Sequence, residues 1–231
     1  MKTIGMIGGM SWESTLVYYR IVNREVQARL GGVHSAKILM ESYDFAEMAA
    51  LQQSGRWDEA RAMMEETARR LARAGADFLM ICCNTMHLMA DAVERASGLP
   101  LLHIADPLGE AIKAQGLARV GLLGSRFTME KPGVISGRLE DKFGISSIVP
   151  DERGRITVDD VIQTELVRGQ FHDTSRAAYR AIMETLVGCG AQGIILGCTE
   201  IPLLVGQADS PVPVFDTTAL HAMAAVDLAL A

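Results

Sequence analysis

Residues 74–85 read AGADFLMICCNT, and residues 189–200 read CGAQGIILGCTE. Laid over one another without a gap, Gly75 meets Gly190, Ala76 meets Ala191 and Cys83 meets Cys198. The offset is 198 − 83 = 115 positions, half of the 231-residue chain. The apolar runs Leu79-Met80-Ile81 and Ile194-Ile195-Leu196 fall in register. A second pair of segments repeats at nearly the same spacing. Thr3-Ile4-Gly5-Met6-Ile7-Gly8 resembles Arg119-Val120-Gly121-Leu122-Leu123-Gly124, with an offset of 120 − 4 = 116. Two independent segments therefore indicate a duplicated fold with one thiol at the same strand end in each half.

Outward from these segments, short apolar runs alternate with longer amphipathic ones. Strands are predicted over residues 4–7, 36–41, 78–83, 101–104, 119–124, 145–149, 193–197 and 212–215. Helices are predicted over residues 12–30, 56–73, 107–115, 158–168, 174–187 and 217–231. Strands separated by helices of this length build βαβ units and parallel sheets. The expected fold is α/β, with two pseudo-symmetric lobes, each a parallel sheet flanked by helices, and the active site in the cleft between them. The N-terminal lobe is expected to hold residues 1–114 plus 216–231, and the C-terminal lobe residues 115–215. Ligands of such sheets bind beyond the carboxyl ends of strands, where both cysteine motifs fall.

Composition narrows the function classes. The chain carries 22 Lys and Arg against 28 Asp and Glu, a net charge of −6 without a basic run. Phosphate backbones need a positive footprint, so nucleic acid is not an expected partner. Met1-Lys2-Thr3 leads directly into a strand, so no signal peptide is read. No apolar stretch approaches the roughly 20 residues that span a bilayer, so no membrane partner is expected. Four cysteines without a regular framework read as reduced thiols, which implies the cytoplasm.

The chemistry is expected at the two strand ends. After Gly197 the chain offers unpaired backbone N–H groups to Cys198, Thr199 and Glu200, a setting that favours an anion and a reactive thiolate. Cys83, Asn84 and Thr85 repeat the arrangement, and Asn84, Thr85 and Thr199 suit a carboxylate ligand. Side chains alternate along a strand, so adjacent Cys82 and Cys83 cannot share a face. The repeat pairs Cys83 with Cys198, which assigns Cys83 to the site and Cys82 to packing. Cys189 reads as a packing residue. A zinc site of Cys83, His87 and Cys198 lacks any metal-ligand spacing, and His34, His103, His172 and His221 are scattered. The turn Gly5-Met6-Ile7-Gly8-Gly9-Met10-Ser11 is either a tight strand-to-helix turn or a nest of N–H groups that brings Met10 to a ligand. Its counterpart, Gly124-Ser125-Arg126-Phe127-Thr128, adds the hydroxyls of Ser125 and Thr128 and a cation.

These residues resemble the aspartate/glutamate racemase family. Its signatures are an apolar strand running into C-N-T and a second running into G-C-T-[DEH]. They stand here as Met80-Ile81-Cys82-Cys83-Asn84-Thr85 and Ile194-Ile195-Leu196-Gly197-Cys198-Thr199-Glu200. Gly8-Gly9-Met10-Ser11-Trp12-Glu13-Ser14-Thr15 and Met86-His87 resemble the aspartate or broad-specificity amino-acid branch, as does Glu200 in place of histidine. The resemblance covers essentially the whole chain. It implies a two-lobed fold and a racemase with no cofactor and no metal, in which Cys83 and Cys198 handle protons on opposite faces of Cα. It also implies a small amino-acid substrate, aspartate and/or glutamate, with Gln52 and Glu200 joining the substrate-binding set, and a homodimer. Arg56, Arg126 and Arg155 are candidate partners for a distal carboxylate; without one of them, neutral amino acids suit equally. A maleate isomerase or an arylmalonate decarboxylase of the same superfamily and a two-lobed binding protein are the competing readings, and neither accounts as well for both cysteines with their polar followers.

Overall fold

The computed structural model describes residues 1–231. The first half contains β1 (Ile4–Gly8), α1 (Trp12–Leu30), β2 (Ile38–Ser42), α2 (Phe45–Gln53), α3 (Trp57–Arg73), β3 (Phe78–Ile81), α4 (Ala90–Ser97) and β4 (Leu101–Leu102). The second contains α5 (Ala105–Ala114), β5 (Arg119–Gly124), α6 (Arg126–Glu130), α7 (Ser136–Phe143), β6 (Ser146–Ile148), α8 (Glu152–Thr164), α9 (Asp173–Gly188), β7 (Ile194–Gly197), β8 (Val214–Asp216) and α10 (Thr217–Leu230). All strands lie in two parallel sheets, ordered β2-β1-β3-β4 and β6-β5-β7-β8. Helices flank both, so the α/β class and the pair of flanked parallel sheets stand as the sequence indicated.

The duplication reaches individual residues. Gly5 pairs with Leu79 across β1 and β3, and Gly121 pairs with Ile194 across β5 and β7. A Cβ on Gly5 would lie 2.5 Å from Leu79 Cδ2, and one on Gly121 2.8 Å from Ile194 Cδ1. In each sheet a strand glycine thus makes room for an aliphatic side chain of the neighbouring strand. Ahead of β3 and β7, Gly75 and Gly190 adopt φ of +97° and +95°. An added Cβ would meet nothing within 4 Å at Gly75 and only the Arg119 side chain, from 3.8 Å, at Gly190. Gly75→Ala and Gly190→Ala are therefore each expected to cost about 1–2 kcal/mol from the backbone alone. Matched urea unfolding curves check this; a loss at one position and none at the other breaks the equivalence.

The central strands β1, β3 and β7 are buried on both faces, which is why they read as continuous apolar runs. On one face of the first sheet, Ile7, Leu79 and Ile81 pack with Met48, Leu51, Ala60, Met64, Ala68 and Leu71 of α2 and α3. On the other, Ile4, Met6, Phe78 and Met80 meet Tyr18, Val22 and Val26 of α1 and Ala222, Ala225, Val226 and Ala229 of α10. In the second sheet, Leu123, Ile194 and Leu196 pack with Val158, Val161 and Ile162 of α8 and Tyr179, Met183 and Leu186 of α9.

The chain divides into two compact units, Met1–Ile104 with His221–Ala231, and Ala105–Leu220. The limits expected from the sequence are 114/115 and 215/216. α5 goes with the second unit because Asp106 pairs with Arg138 of α7 at 2.6 Å and Gly109 seats against the Phe143 ring. No helix is long and apolar enough to cross a membrane.

Candidate active site

In the first unit, β3 ends at Ile81 rather than reaching Cys83. The last ladder bond runs from Cys82 N to Ile7 O at 2.9 Å, and the chain then turns through Asn84, in the right-handed helical region, into a short 3-10 helix, Thr85–Met89. The alternation of faces nonetheless carries through the bend. Cys82 is fully buried with Met6 and Met80, against α1 and α10. Burial pushes its thiol far above the ordinary range, and the adjacent Cys83 adds to the effect. Cys83 is half-buried on the opposite face, beside the cluster of Ile81 and Met86. Cys82 is thus buried and neutral, and Cys83 is the more accessible of the two.

Asn84 and Thr85 are 3% and 7% exposed. Gln52 Nε2 lies 3.1 Å from Met86 Sδ, which ties the end of α2 to the 3-10 helix that follows Cys83. Met10 is 5% exposed and lies in the apolar cluster with Ile7, Met48 and Met86. The glycine-rich turn is stitched by Thr15, whose Oγ1 accepts from Gly9 N at 2.9 Å and donates to Ser11 O at 2.9 Å. Gly9 has φ +82°, and a Cβ there would fall 2.2 Å from Tyr43 N, so the turn requires glycine.

Three histidines gather below the Cys83 turn, which corrects the expectation that His103 and His221 are scattered. β4 lies beside β3, and α10 returns to this unit, so residues far apart in sequence become neighbours. His87, His103 and His221 are 2%, 7% and 0% exposed. The His87 ring centroid lies 4.7 Å from that of His103 and 5.6 Å from that of His221. His87 Nε2 accepts from Ile104 N at 3.1 Å, and its Nδ1 faces Cys83 O at 2.8 Å. Both ring nitrogens are thus engaged by backbone. His221 Nε2 faces Leu102 O at 2.9 Å, and its Nδ1 faces Tyr18 Oη at 3.1 Å.

In the second unit, β7 ends at Gly197, immediately before Cys198. Cys198 is half-buried. Its Sγ lies 3.0 Å from Glu200 Oε2, the same oxygen that accepts from Thr199 Oγ1 at 2.8 Å. Thr199 and Glu200 are 4% and 3% exposed. A buried carboxylate thus turns towards the thiol. Ser125 caps α6, its Oγ accepting from Thr128 N at 3.4 Å and lying 3.1 Å from Thr128 Oγ1. Within this unit the structure brings Cys198, Thr199 and Glu200 together. Ser125 and Thr128 form a second polar pair just past the end of β5, the strand beside β7.

The candidate cations are each matched by a carboxylate. Arg56 pairs with Glu59, Arg126 with Glu130 at 3.1 Å, and Arg155 with Glu130 at 3.3 Å. Arg155 also donates to Pro150 O at 2.9 Å.

Comparison with known proteins agrees with this organisation. The sequence profile of the Asp/Glu/Hydantoin racemase family matches residues 7–225. The crystal structure of a Yersinia pestis protein assigned to the Asp/Glu racemases superposes with a TM-score of 0.93 at 52% identity, covering 100% of both chains. An aspartate racemase homologue from Pyrococcus horikoshii superposes with a TM-score of 0.85 at 32% identity, again over 100% of both chains. The broad specificity amino-acid racemase RacX of Bacillus subtilis is 23% identical over 177 residues, 75% of this chain and 74% of RacX. The profile match begins within β1 and ends within α10, so it takes in both units. The chain belongs to the Asp/Glu/Hydantoin racemase family.

Proposed function

We propose that this chain is a cofactor-independent amino-acid racemase that inverts Cα of aspartate and/or glutamate through two thiols, Cys83 and Cys198. One observation carries the reading. Each unit holds a half-buried thiol just past the equivalent strand, 115 positions apart, and each thiol is followed by buried polar side chains. The aspartate racemase homologue and the broad-specificity relative among its similar proteins support the substrate class.

The reaction is a proton exchange with no change in oxidation state. The thiolate of one cysteine forms an S–H bond with the α-hydrogen, and the C–H electron pair stays on carbon, delocalised towards the α-carboxylate. The thiol of the other cysteine gives its proton to the opposite face. The product is the other enantiomer, and the two cysteines have exchanged protonation states. The α-hydrogen is weakly acidic, so donors set around the carboxylate must stabilise the developing charge. Asn84, Thr85 and Thr199 fill that role in this reading, with Ser125, Thr128, Gln52 and Met10 completing the substrate surroundings. Glu200 acts on Cys198. A carboxylate 3.0 Å from the sulfur favours the protonated form of Cys198, and in this reading Cys198 is the resting acid and Cys83 the base.

The test is chiral chromatography after incubation with each enantiomer of aspartate, glutamate and a panel of neutral amino acids. Racemisation of aspartate or glutamate is the expected result. Inertness towards the whole panel removes the reading. A second specificity, for neutral amino acids, is favoured by one observation: Arg56, Arg126 and Arg155 are all held by carboxylates.

Two further parts belong to this proposal. The thiols must stay reduced, which suits the cytoplasm. A homodimer is the assembly inferred. Trp12, Leu16 and Tyr19 of α1 and Met40 of the edge strand β2 are 61%, 52%, 48% and 38% exposed, an apolar face of the kind that a second copy covers. Light scattering at about twice 25.0 kDa is the expected result.

A further inference from the structure

We infer that His87 is a positioning residue for Cys83, and that it acts as a neutral ring through its Nδ1–H. This rests on the racemase reading above and assigns a role to a side chain outside the two cysteine motifs.

The protonation pattern follows from the partners. Ile104 N–H is a donor, so His87 Nε2, 3.1 Å away, must be a bare acceptor nitrogen. The Cys83 carbonyl is an acceptor, so His87 Nδ1, 2.8 Å away, must carry the hydrogen. One ring therefore joins the residue that bears the thiol to the backbone just beyond β4. A second proton on Nε2 would set two N–H groups against each other, which holds the ring neutral and removes it from acid–base work. The ring cannot swing away, because it is 2% exposed and packed at a tilt against His103, with His221 fixed behind it by Tyr18 and Leu102.

This geometry matters at Cys83 in particular. The thiol lies beyond the last residue of β3, so the sheet ladder does not fix it. The bond from His87 takes over where the ladder ends. Cys198 has a side-chain partner, Glu200, two residues away, whereas the His87 bond reaches Cys83 through its carbonyl. A proton handler displaced by about 1 Å loses roughly 10²-fold in rate.

The closing experiment measures deuterium wash-in at Cα from L- and D-aspartate separately, with kcat and KM, for wild type, His87→Ala, His87→Gln and His87→Asn. Asparagine places an N–H where Nδ1 stands; glutamine reaches only the Nε2 position. His87→Ala and His87→Gln are expected to lose about 100-fold in kcat with KM changed by less than about threefold. In both, exchange through the Cys83 face falls, while exchange of the other enantiomer without inversion persists. His87→Asn is expected to recover to within about tenfold of wild type. Equal loss of exchange from both enantiomers, or His87→Asn falling as far as His87→Ala, overturns the inference while leaving an active racemase. Wild-type protein inert towards every amino acid removes the racemase reading, and this inference with it. Thermal unfolding of the asparagine and glutamine variants separates loss of folding from loss of position.

Discussion

Cys83→Ser is expected to abolish racemisation, by at least about 10³-fold in kcat, and to leave one-sided exchange of the α-hydrogen. A serine hydroxyl is far too weak an acid to supply the base that the thiolate provides. The partner thiol still reaches its own face, so one enantiomer exchanges its α-hydrogen with solvent without inverting. Cys198→Ser gives the mirror image: the other enantiomer exchanges and inversion is lost. Mass spectrometry of aspartate recovered from deuterium oxide, combined with chiral separation, reads both results at once. Full activity in Cys83→Ala would sink the assignment. Cys82→Ser is the control. Its thiol is fully buried among Met6, Met80 and Phe78, so the hydroxyl destabilises the first unit by about 1–3 kcal/mol, while kcat of the folded protein stays near wild type.

Glu200→Gln is expected to act on the pH profile. The thiol pair must hold one proton between its two members, so the profile is bell-shaped, with a limb on each side. On the resting assignment above, the low-pH limb reports Cys83 losing its proton, and the high-pH limb reports Cys198 losing the last one. The negative charge of Glu200, 3.0 Å from Cys198 Sγ, opposes that second loss. The neutral amide removes the opposition, so the high-pH limb moves to lower pH and the low-pH limb stays. At a pH just above the displaced limb the variant turns over about tenfold more slowly than wild type. A profile in which only the low-pH limb moves, or in which neither does, contradicts the assignment of Cys198 as the resting acid.

The repeat made the architecture legible because duplication constrains residues that packing alone leaves free. Gly75 and Gly190 announce the same turn, and Gly5 and Gly121 the same close approach of strands, so one half checks the other. Boundaries were less clear where side-chain caps govern them. α2 was missed, although Asp44 caps it by accepting from Ala46 N at 3.0 Å. α8 begins at Glu152, not 158, because Asp151 accepts from Gly154 N at 2.8 Å and carries the helix through a glycine. α7, short and charged on one side, was also missed.

At the site, the two thiols and their polar followers were readable because they are contiguous in sequence. Spacing also separated Cys82 from Cys83. The tie between His87 and Ile104 was not readable, since it depends on β4 lying beside β3. The approach of His221 was hidden further, because its helix returns over a separation of 221 − 87 = 134 residues. The pairing of Arg56, Arg126 and Arg155 with carboxylates was equally invisible to composition.

The return of α10 also sets an order of events during synthesis. Residues 105–220 form one uninterrupted stretch, so the second unit can close its core as soon as its last strand leaves the ribosome. The first unit is made earlier but finishes later. Its sheet face of Ile4, Met6, Phe78 and Met80 waits for Ala222, Ala225, Val226 and Ala229. The seam is then tied by Lys2 N to Ala229 O at 2.8 Å and by the Arg29–Asp227 pair. Domains emerging from the ribosome ordinarily fold from the N-terminus onward. A chain cut after residue 220 keeps every residue of the second unit but leaves the face of Ile4, Met6, Phe78 and Met80 without the helix side chains that cover it.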